Sequence, residues 1–422
     1  MSFDQFGLHP ELLHGVRDLG FVRPTPIQEK AIPPILDGRD VLGRAMTGSG
    51  KTAAFLLPIL HRLAGRPRGT TRALILTPTR ELAAQIAEDL AALARHTRLR
   101  GTAVFGGVGM GHQEKALRTG VDVVVATPGR LLDHFRHGYA ALRGLEVLVL
   151  DEADRMLDIG FLPDIRRIMR HVPAARQTLL FSATLPPDIV TLSREILRNP
   201  VTVEIDTART KAADRITHAA YPVPAELKSA LLVELLKRGE IRSVIAFTRT
   251  KHRANRLAEY LQRNGVAAGR IHGNRSQAQR TQALAGLKTG KVPVLVATDI
   301  AARGIDVEAL SHVVNFDVPN SPEDYVHRVG RTARVDAEGD AFLFMSPEEE
   351  ANVVRIERAL GQRIPRVTLP GFDYRKRPVE KLEVPLHQRL AAMRAARSGA
   401  RPRGGATQAR AAHAARRSRR VR

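Results

Sequence analysis

Short runs of continuous apolar residues recur along the chain and alternate with longer segments in which apolar positions follow a helical period. The runs are ALILT, VDVVVAT, VLVLD and TLLFSAT in the first half, and SVIAF, VPVLVAT, SHVVNF and DAFLFM in the second. Strands that are apolar at every position are typical of a parallel sheet that is covered on both faces. The alternation with helices therefore predicts an α/β fold with doubly wound parallel sheets and right-handed crossovers.

The two halves of the chain follow the same plan. LILTPTR, which contains Thr77, and IAFTRTK, which contains Thr248, lie 171 residues apart, and VVVATPGR and VLVATDIA are separated by the same interval. The equal offsets predict a duplicated domain, and chance similarity among Val-rich strands is the alternative. The assigned parts are a first domain at 1–203, a linker at 204–220, a second domain at 221–370 and a basic tail at 371–422.

The composition narrows the class of protein. A length of 422 residues fits two domains, and the absence of cysteine excludes disulfides and thiolate metal sites and fits a reducing compartment. The opening stretch, MSFDQFGLHPELL, lacks the basic and apolar segments of a targeting signal, and no window approaches the length of a membrane span. We therefore expect a cytoplasmic protein with no membrane partner.

The net charge of +23 is distributed unevenly. Residues 375–422 contain 15 Lys or Arg against two Glu, so this short segment carries more than half of the net charge. Such a charge predicts a polyanionic partner, with nucleic acid as the first choice and an anionic membrane surface as the second. Because RPRGGATQARAAHAARRSRRVR has few apolar residues, we expect a disordered tail that binds phosphates electrostatically. A solvated tail that only aids solubility is the alternative.

The stretch AMTGSGKT nearly matches the phosphate-binding pattern G-x-x-x-x-G-K-[ST]. Ala45 replaces the first glycine of the pattern, where a methyl group costs little if φ stays negative. A helical segment follows directly, so its N-terminus favours an anion at the loop. The expected ligands are the backbone N–H groups of Gly48, Ser49 and Gly50 for phosphate oxygens, Lys51 for the β and γ phosphates, and the Thr52 hydroxyl for Mg²⁺.

The stretch VLVLDEAD places Asp151 and Glu152 at the carboxyl end of a buried strand, the edge where open α/β sheets bind ligands. Asp151 suits a Mg²⁺ ligand, and Glu152 suits the orientation or deprotonation of an attacking water. Only the first half carries a phosphate loop, so one nucleotide site serves both domains. Since the other strands also end in polar residues, as in PTREL, TPGR, SAT and HRVGRTAR, we place the active site in the cleft between the sheets.

Together these motifs resemble the DEAD-box family of RNA helicases, in superfamily 2. In chain order the match runs through GFVRPTPIQ, AMTGSGKT, PTREL, GG, TPGR, DEAD, SAT, the segment with Gln277 and Arg280, ATDIAARGID and HRVGRTAR. Family members have Ala at the position of Ala45. The resemblance implies two tandem RecA-like domains and an ATP-dependent helicase that remodels short RNA duplexes and RNA–protein complexes. The segment EEEANVVRIERALGQRIPRVTLPGFDY resembles the RhlE-like bacterial branch.

For the nucleotide, the resemblance implies that Phe3 stacks near adenine, that Gln28 reads the adenine edge and that Asp306 approaches the ribose. Thr47 is included among the loop residues that contact the nucleotide. Arg331 and Arg334 are implied to be arginine fingers, which act only when the domains close. The residues implied to couple hydrolysis to strand separation are Asp154, Ser182 and Thr184, with His327 and Arg328 as a bridge across the cleft.

For RNA, the resemblance implies contacts from hydroxyls, guanidinium groups and helix starts, which position a strand without reading its bases. The implied residues are Pro78, Thr79, Arg80, Gly107, Thr127, Gly129 and Arg130 in the first domain, and Thr248, Gln277, Arg280 and Thr298 in the second. We therefore expect single-stranded RNA or short duplexes to bind with low sequence specificity. Ribosomal or RNA-degradation complexes are candidate partners.

Two other functions remain open from the residues alone. One is a DNA-dependent translocase of superfamily 2, against which the Gln28 segment and the sequence DEAD argue. The other is an ATP-gated RNA clamp whose hydrolysis is incidental, against which Glu152, Arg331 and Arg334 argue. In HRVGRTAR, Ala333 replaces the usual glycine, and if that position needs positive φ the cost is about 1 kcal/mol and the placement of Arg334 suffers.

Overall fold

Two parallel sheets follow one another along the chain, and helices connect their strands. The computed structural model describes residues 2–46, 48–65, 69–205, 216–302, 310–332 and 339–376. Within these ranges every pair of neighbouring strands is parallel. The α/β class and the two tandem doubly wound sheets are therefore confirmed.

The first domain contains a seven-stranded sheet. Its strands are β1 (Val41–Arg44), β2 (Ala73–Leu76), β3 (Gly101–Val104), β4 (Val123–Ala126), β5 (Val147–Leu150), β6 (Gln177–Ser182) and β7 (Val201–Glu204). Its helices are α1 (Pro10–Asp18), α2 (Pro26–Leu36), α3 (Lys51–Leu63), α4 (Arg80–Leu93), α5 (Gly111–Thr119), α6 (Pro128–Arg136), α7 (Ala153–Asp158), α8 (Leu162–Met169) and α9 (Pro187–Ile196), after a 3₁₀ helix at Phe3–Phe6.

The second domain contains a six-stranded sheet. Its strands are β8 (Ile216–Pro222), β9 (Val244–Phe247), β10 (Ala268–Ile271), β11 (Val294–Ala297), β12 (His312–Asn315) and β13 (Gly339–Met345). Its helices are α10 (Lys228–Lys237), α11 (Lys251–Arg263), α12 (Gln277–Lys288), α13 (Asp299–Ala302), α14 (Pro322–Val329) and α15 (Glu350–Leu360), with 3₁₀ helices at Ala225–Leu227 and Pro347–Glu349. None of the helices in the described ranges is both long and apolar enough to cross a membrane.

The two sheets share one topology. The strand order is β3-β4-β2-β5-β6-β1-β7 in the first sheet and β10-β11-β9-β12-β13-β8 in the second. If β1 to β6 are matched in chain order with β8 to β13, the two orders are identical, and β7 is an added edge strand. The repeated topology supports the duplication that the offset of 171 residues predicts.

Burial on both faces explains why the strands are apolar at every position. In β2, Ala73 and Ile75 lie in the core on one face of the sheet, whereas Leu74 and Leu76 lie in the core on the other. All four residues of β2 are completely buried. Because both faces of β2 pack into a core, its first polar side chain, Thr77, comes only where the strand ends.

The turn after β2 is repeated after β9. The buried Thr77 hydroxyl donates to the Thr79 carbonyl at 3.1 Å, and Thr79 Oγ1 accepts a 3.2 Å hydrogen bond from the amide three positions later, which caps α4. Thr248 and Thr250 make the same two hydrogen bonds, at 3.4 and 3.2 Å. The duplication thus extends to individual hydrogen bonds.

The second sheet begins inside the stretch 204–220 that the sequence assigns to a linker. The last five residues of that stretch belong to β8, which pairs with β13 along its whole length. Thr217 and His218 interrupt the apolar pattern there, and the buried His218 Nδ1 lies 2.8 Å from the Tyr325 hydroxyl. Because His218 is a polar residue whose partner is distant in the sequence, the apolar pattern alone does not predict β8. Residues 206–215 and the predicted tail from 377 onward lie outside the described residues.

We expect Arg72→Met to lower the free energy of unfolding of the first domain by about 3–5 kcal/mol, because it leaves a buried carboxylate without its ion pair. Arg72 Nη2 lies 2.7 Å from Asp122 Oδ1, and both side chains are almost fully buried. Urea unfolding measures the change. The matched control is Arg136→Met, which removes an exposed ion pair with Asp133 and should change stability little. Equal effects of the two substitutions would contradict the expectation.

Candidate functional site

The phosphate loop connects β1 to α3. Gly48 and Gly50 have φ values of 83° and 92°, which glycine adopts without strain. Lys51 is the first residue of α3, so the unpaired N–H groups of the first helical turn lie at the end of the loop. The loop therefore offers backbone donors and the positive end of a helix dipole to an anion. Thr47 lies outside the described residues.

Ala45 fits the start of the loop without strain. Among the described residues other than glycine, only Glu152 and Asn199 have positive φ, so Ala45 has an ordinary backbone conformation. Its side chain is buried, and its N–H donates to the Ser182 carbonyl at 3.1 Å. The position thus needs no glycine, and it joins the phosphate loop to the end of β6.

Lys51 and Asp151 lie together behind the loop. Lys51 Nζ donates to the Ala45 carbonyl at 3.0 Å and lies 4.0 Å from Asp151 Oδ1. Burial raises the pKa of Asp151 to about 6, because the attraction of Lys51 only partly offsets the loss of hydration. A buried carboxylate that is incompletely compensated suits a divalent cation, and the half-buried Thr52 hydroxyl would supply a second oxygen ligand. These residues fit a nucleotide-bound Mg²⁺.

Gln28 and Thr25 support the phosphate loop from α2. Gln28 Nε2 donates to the Gly50 carbonyl at 3.0 Å, and the Thr25 hydroxyl donates to the Ser49 carbonyl at 2.8 Å. Gln28 Oε1 accepts a 2.9 Å hydrogen bond from the Thr25 amide, so both ends of the Gln28 amide have partners. Gln28 therefore connects the start of α2 to the loop, and its contact with adenine stays a prediction.

Phe3 packs into the first domain. It is only 4% exposed, and its ring stacks on Phe21 with a centroid separation of 6.2 Å. Phe6 meets the same ring edge-on at 6.1 Å. These contacts fix Phe3 beside the GFVRPTPIQ segment that contains Gln28. Stacking of Phe3 near adenine stays a prediction.

Glu152 occupies a strained turn between β5 and α7. Its φ and ψ of 53° and 50° are left-handed, which is uncommon for a residue other than glycine. Its N–H donates to Asp151 Oδ1 at 3.0 Å, and its carboxylate accepts a 2.9 Å hydrogen bond from Arg155 Nη1. Both side chains of this ion pair are 4% exposed. The pair holds the Glu152 carboxylate in one orientation, as a group that orients a water molecule requires.

Asp154, Ser182 and Thr184 form one hydrogen-bonded cluster. Asp154 Oδ2 accepts hydrogen bonds from both the amide and the hydroxyl of Thr184, each at 2.8 Å. Ser182 Oγ accepts from the Asp154 amide at 3.2 Å and donates to the Thr184 carbonyl at 2.7 Å. The structure thus brings together the acid box, residues 151–154, and the end of β6.

Arg328 has all of its observed partners in the second domain. Its guanidinium binds both carboxylate oxygens of Asp299, at 2.6 and 2.8 Å. Nη1 donates to Asn315 Oδ1 at 3.1 Å and to the Asp317 carbonyl at 2.7 Å. The guanidinium also lies 5.1 Å from the centre of the Phe247 ring. A bridge from Arg328 across the cleft stays a prediction, and it requires the exchange of these partners.

A small pocket joins Arg155 of the first domain to the end of α14 in the second. Its lining includes His327 and Arg331 from the HRVGRTAR segment. Arg331 is 4% exposed. One predicted arginine finger therefore lines the same pocket as Arg155, the partner of Glu152. Asp306, Ala333 and Arg334 lie outside the described residues.

Three residues predicted to contact RNA lie around the glycine pair that follows β3. Gly107 has a φ of 84°, and a Cβ atom there would lie 1.9 Å from Arg80 Nη1. Arg130 Nη1 donates to the Val108 carbonyl at 3.0 Å. Burial and repulsion from Arg280 and Arg130 lower the pKa of Arg80. Arg280 and Arg130 therefore each repel Arg80, and an anion bound beside Arg80 would relieve that repulsion.

The other predicted RNA contacts of the first domain lie at helix starts. Pro78 and Thr79 precede α4, and Thr127 precedes α6. Gly129 lies in the first turn of α6, and a Cβ added there would meet no atom within 4 Å. Backbone N–H groups at such positions bind phosphates without reading bases.

Gln277 and Arg280 of α12 bind Glu81 of α4 in this structure. Arg280 Nε and Nη2 donate to the two Glu81 carboxylate oxygens, each at 2.8 Å, and Gln277 Nε2 donates to Oε1 at 3.1 Å. The Glu81 and Arg280 side chains are 6% and 9% exposed. A buried, two-pronged ion pair thus links the two domains. Contact of Gln277 and Arg280 with RNA stays a prediction.

Thr248 and Thr298 differ in their exposure. Thr248 is completely buried, and its hydroxyl lies 3.4 Å from the carbonyls of Thr250 and Ala297. Thr298 is half-buried and precedes α13, where its carbonyl accepts hydrogen bonds from two helical amides. Of the two, only Thr298 presents surface to a ligand here.

The motifs do not assign roles to three charged residues of the site: Glu81, Arg155 and Asp299. Each lies within or directly after a recognised motif, in PTREL, DEADR and ATDIAARGID, and this adjacency is the signal that sequence reasoning could have used. Their partners lie 199, 3 and 29 residues away along the chain. A single sequence does not reveal the two long-range pairs, because they depend on how the helices meet.

Two family models match the chain, one in each domain. The first, DEAD/DEAH box helicase, matches residues 25–192. The second, Helicase conserved C-terminal domain, matches residues 227–336. The two matches cover the phosphate loop, the acid box and the described part of the HRVGRTAR segment.

Curated relatives match most of the chain. The ATP-dependent RNA helicase DeaD of Klebsiella pneumoniae is 44% identical over 391 residues, which is 92% of this chain and 60% of that protein. The ATP-dependent RNA helicase RhlB of Pseudomonas syringae pv. tomato is 43% identical over 377 residues, 87% of this chain and 95% of that protein. The chain thus spans about three-fifths of the length of its DeaD relatives. Neither relative tests the RhlE-like branch, which stays a prediction.

Solved structures of the yeast helicase Dbp5 match the described domains to different degrees. Saccharomyces cerevisiae Dbp5 bound to RNA and ADP BeF3 has a TM-score of 0.79 at 33% identity, over 87% of this chain and 95% of that chain. A Dbp5 variant bound to Nup159, a Gle1 variant, IP6 and ADP reaches 0.61 at 31% identity, over 86% and 96%. The likeness confirms two RecA-like domains.

We expect Gly50→Ala to weaken ATP binding by at least about tenfold, because an alanine at positive φ is strained and its side chain would collide with the loop's support. The φ of Gly50 is 92°, and a Cβ atom would lie 2.6 Å from Gln28 Nε2 and 2.8 Å from Thr25 Oγ1. Titration with a fluorescent ATP analogue measures the affinity.

The matched control for this substitution is Gly65→Ala at the other end of α3. Gly65 has a φ of 71°, but a Cβ atom there would meet nothing within 4 Å. The control therefore introduces backbone strain without a collision, and ATP affinity should be retained. Equal ATP affinity in both variants would show that the packing of Gly50 against Gln28 and Thr25 does not contribute to ATP binding.

Proposed function

The chain belongs to the DEAD/DEAH box helicase family, and we propose that it is an ATP-dependent RNA helicase that locally unwinds or remodels short RNA duplexes and RNA–protein complexes. The main support for the proposal is the pocket that Arg155 and Arg331 both line. Arg155 binds Glu152 of the acid box, so this pocket places the acid box of the first domain near Arg331 of the second. Because the chain spans only part of its DeaD relatives, the activity, substrate and partners of the whole protein are proposals.

ATP is the proposed nucleotide, and Mg²⁺ is its proposed metal ion. Lys51, which now donates to the Ala45 carbonyl, would exchange that partner for the β and γ phosphates. Asp151 and Thr52 would hold the ion, which supplies positive charge against the phosphoryl oxygens when it is bound. The support for this assignment is the incompletely compensated Asp151 carboxylate beside Lys51.

Glu152 is proposed to orient or deprotonate the water that attacks the terminal phosphate. The ion pair with Arg155 keeps its carboxylate in place on the short turn after β5. Arg331 would bring positive charge to the transferred phosphoryl group, a contribution of about 10³–10⁵ in rate for an arginine finger. Since Glu152 and Arg331 lie in different domains, hydrolysis depends on the arrangement of the domains. Arg334 is proposed as a second finger.

The cluster of Asp154, Ser182 and Thr184 is proposed to couple the nucleotide site to RNA. Its hydrogen bonds join the acid box to the end of β6, and Ser182 also accepts from the Ala45 amide in the phosphate loop. A displacement of the phosphate loop or the acid box therefore acts on the SAT segment through direct contacts. A continuous series of hydrogen bonds of this kind can transmit a change at the nucleotide site to the RNA site.

The RNA surface is proposed to lie at the strand ends that carry Arg80, Gly107 and Arg130. The repulsion of Arg80 by Arg130 and Arg280 favours a phosphate chain as ligand. Helix starts and guanidinium groups contact the backbone of a strand, so low sequence specificity follows. If RNA binding and domain closure favour each other, ATP must tighten RNA binding by the same factor as RNA tightens ATP binding.

The role of the basic segment, the partners and the location of the protein are proposed from the sequence. The segment 371–422 is proposed to add electrostatic affinity for RNA, which follows from its sequence charge. Ribosomal or RNA-degradation complexes as partners, and a cytoplasmic location, stay predictions from the sequence. The DNA-dependent translocase and the RNA clamp are the outcomes to which a negative test of the main proposal would point.

We expect single-stranded RNA to stimulate steady-state ATP hydrolysis strongly and matched DNA to stimulate it little. Glu152→Gln should lower the stimulated rate by about 10²–10⁴-fold, because the amide cannot accept a proton from water. The control is Glu195→Gln, which alters an exposed carboxylate paired with Arg166 on the same domain. Equal stimulation by DNA would favour the translocase, and RNA binding without stimulated hydrolysis would favour the clamp.

We expect Glu81→Arg and Arg280→Glu each to lower RNA-stimulated kcat/KM by about tenfold or more, and the double variant to recover much of the loss. Each single change places like charges together in a buried interface, whereas the double change restores opposite charges. The control is the reversal of the exposed pair Arg166 and Glu195, which lies within the first domain. If the double variant is no better than the worse single variant, Arg280 acts on RNA rather than on Glu81.

A further inference from the structure

A chain of three polar side chains runs through the first domain behind the glycine loop, residues 105–108. The Tyr139 hydroxyl contacts His134 Nδ1, and His134 Nε2 lies 3.1 Å from Gln113 Oε1. Gln113 Nε2 then donates to the Phe105 carbonyl at 3.0 Å. His134 is fully buried and Gln113 is 5% exposed. None of the three side chains belongs to the motifs discussed above.

The hydrogen bonds of this chain have one consistent direction. Gln113 donates through Nε2 to a carbonyl, so its Oε1 accepts from His134 Nε2–H. His134 Nδ1 is then the acceptor for the Tyr139 hydroxyl, and the imidazole is neutral. Burial lowers the pKa of His134, and the positive charge of Arg130 lowers it further, which agrees with the neutral form. The Phe105 carbonyl can only accept, so it fixes the orientation of the Gln113 amide, and Gln113 Oε1 in turn fixes the tautomer of His134. The Tyr139 hydroxyl then donates to the remaining acceptor, His134 Nδ1.

Gln113 and Arg130 hold the glycine loop at its two ends. Gln113 binds the Phe105 carbonyl, and Arg130 Nη1 binds the Val108 carbonyl at 3.0 Å. The same Arg130 nitrogen lies 3.5 Å from Gln113 Oε1, so the two anchors also touch each other. The middle of the loop consists of two glycines, which have no side chains to fix them. Its position therefore depends on these two carbonyl contacts.

The position of the loop also determines the position of Arg80. The Arg80 guanidinium packs so closely on Gly107 that a Cβ atom there would lie 1.9 Å from Nη1. A small displacement of the loop therefore moves Arg80 relative to Arg130. Both arginines belong to the surface that is proposed to bind RNA phosphates.

We propose that Gln113, supported from behind by His134 and Tyr139, is a positioning residue of the RNA-binding surface. It fixes the glycine loop and, through the loop, the spacing of Arg80 and Arg130. This inference rests on the proposed RNA-binding function.

The second domain offers a matched pair that leads to no loop. The Tyr325 hydroxyl lies 2.8 Å from His218 Nδ1, and both residues are buried. Within the described residues, His218 Nε2 has no hydrogen-bond partner, so the chain of contacts stops there. Tyr325→Phe therefore removes a hydroxyl from a buried histidine without disturbing the RNA surface.

The test measures RNA-stimulated ATP hydrolysis against the concentration of a single-stranded RNA oligonucleotide, which yields kcat and the KM for RNA. Gln113→Glu keeps an acceptor for His134 but loses the donor to the Phe105 carbonyl. Loss of this buried contact should raise the KM for RNA about tenfold and leave kcat within about twofold. Tyr139→Phe acts one step further away and should raise the KM about threefold. Tyr325→Phe should leave the KM unchanged.

Thermal unfolding of each variant separates positioning from general destabilisation. Tyr139→Phe and Tyr325→Phe each remove one hydrogen bond to a histidine, and similar losses of stability with different KM values support the proposal. Unchanged KM values in Gln113→Glu and Tyr139→Phe would overturn it, and so would an equal rise in Tyr325→Phe. If Gln113→Glu does not fold, the half-buried Tyr139 decides the test alone. If the unaltered protein shows no RNA stimulation, the proposed function itself fails.

Discussion

A strand that is buried on both faces can carry chemistry only where it ends. The strands β2, β4, β5, β6, β9 and β11 have no exposed residue, and a functional or capping side chain follows each of them within a few positions. Because all neighbouring strands are parallel, those ends meet at one edge of each sheet. The polar lining of the cleft is therefore a consequence of two-sided burial. Each domain contributes to this lining through the same sheet topology.

Charges at this edge are held by other charges. Lys51 lies beside Asp151, Arg155 binds Glu152, and Arg280 binds Glu81, all with little exposed surface. A buried charge without a partner is costly, so each group constrains the position of the next. The same rule operates far from the cleft, where Arg72 and Asp122 join the starts of neighbouring strands. In the cleft, however, two of these pairs also hold Asp151 and Glu152, the carboxylates that are proposed to act at the nucleotide.

The apolar runs predicted eight of the thirteen strands in the described residues, because two-sided burial favours apolar residues along those strands. The edge strands β3, β7 and β10 are not among them, since their partly exposed positions interrupt the apolar run. The glycines of the phosphate loop were also predicted, because positive φ at positions 48 and 50 favours glycine. The link between Glu81 and Arg280 escaped prediction, because it depends on how two helices from different domains meet. The burial of Thr248 was not predicted either, because the sequence does not distinguish an exposed threonine from a buried one whose hydroxyl bonds a carbonyl. Strand β8 was hidden by His218, whose partner lies 107 residues away.

The turn at Glu152 has a consequence for the stability of the molecule. A left-handed conformation costs an L-residue about 1–2 kcal/mol, a cost that glycine does not bear. Glycine, however, has no carboxylate, so the backbone and the chemistry favour different residues at this position. Under the role proposed for Glu152, selection for a more stable domain would act against hydrolysis, whereas selection for hydrolysis would keep the turn strained. Catalytic competence and thermodynamic stability would then be opposing evolutionary pressures at this turn.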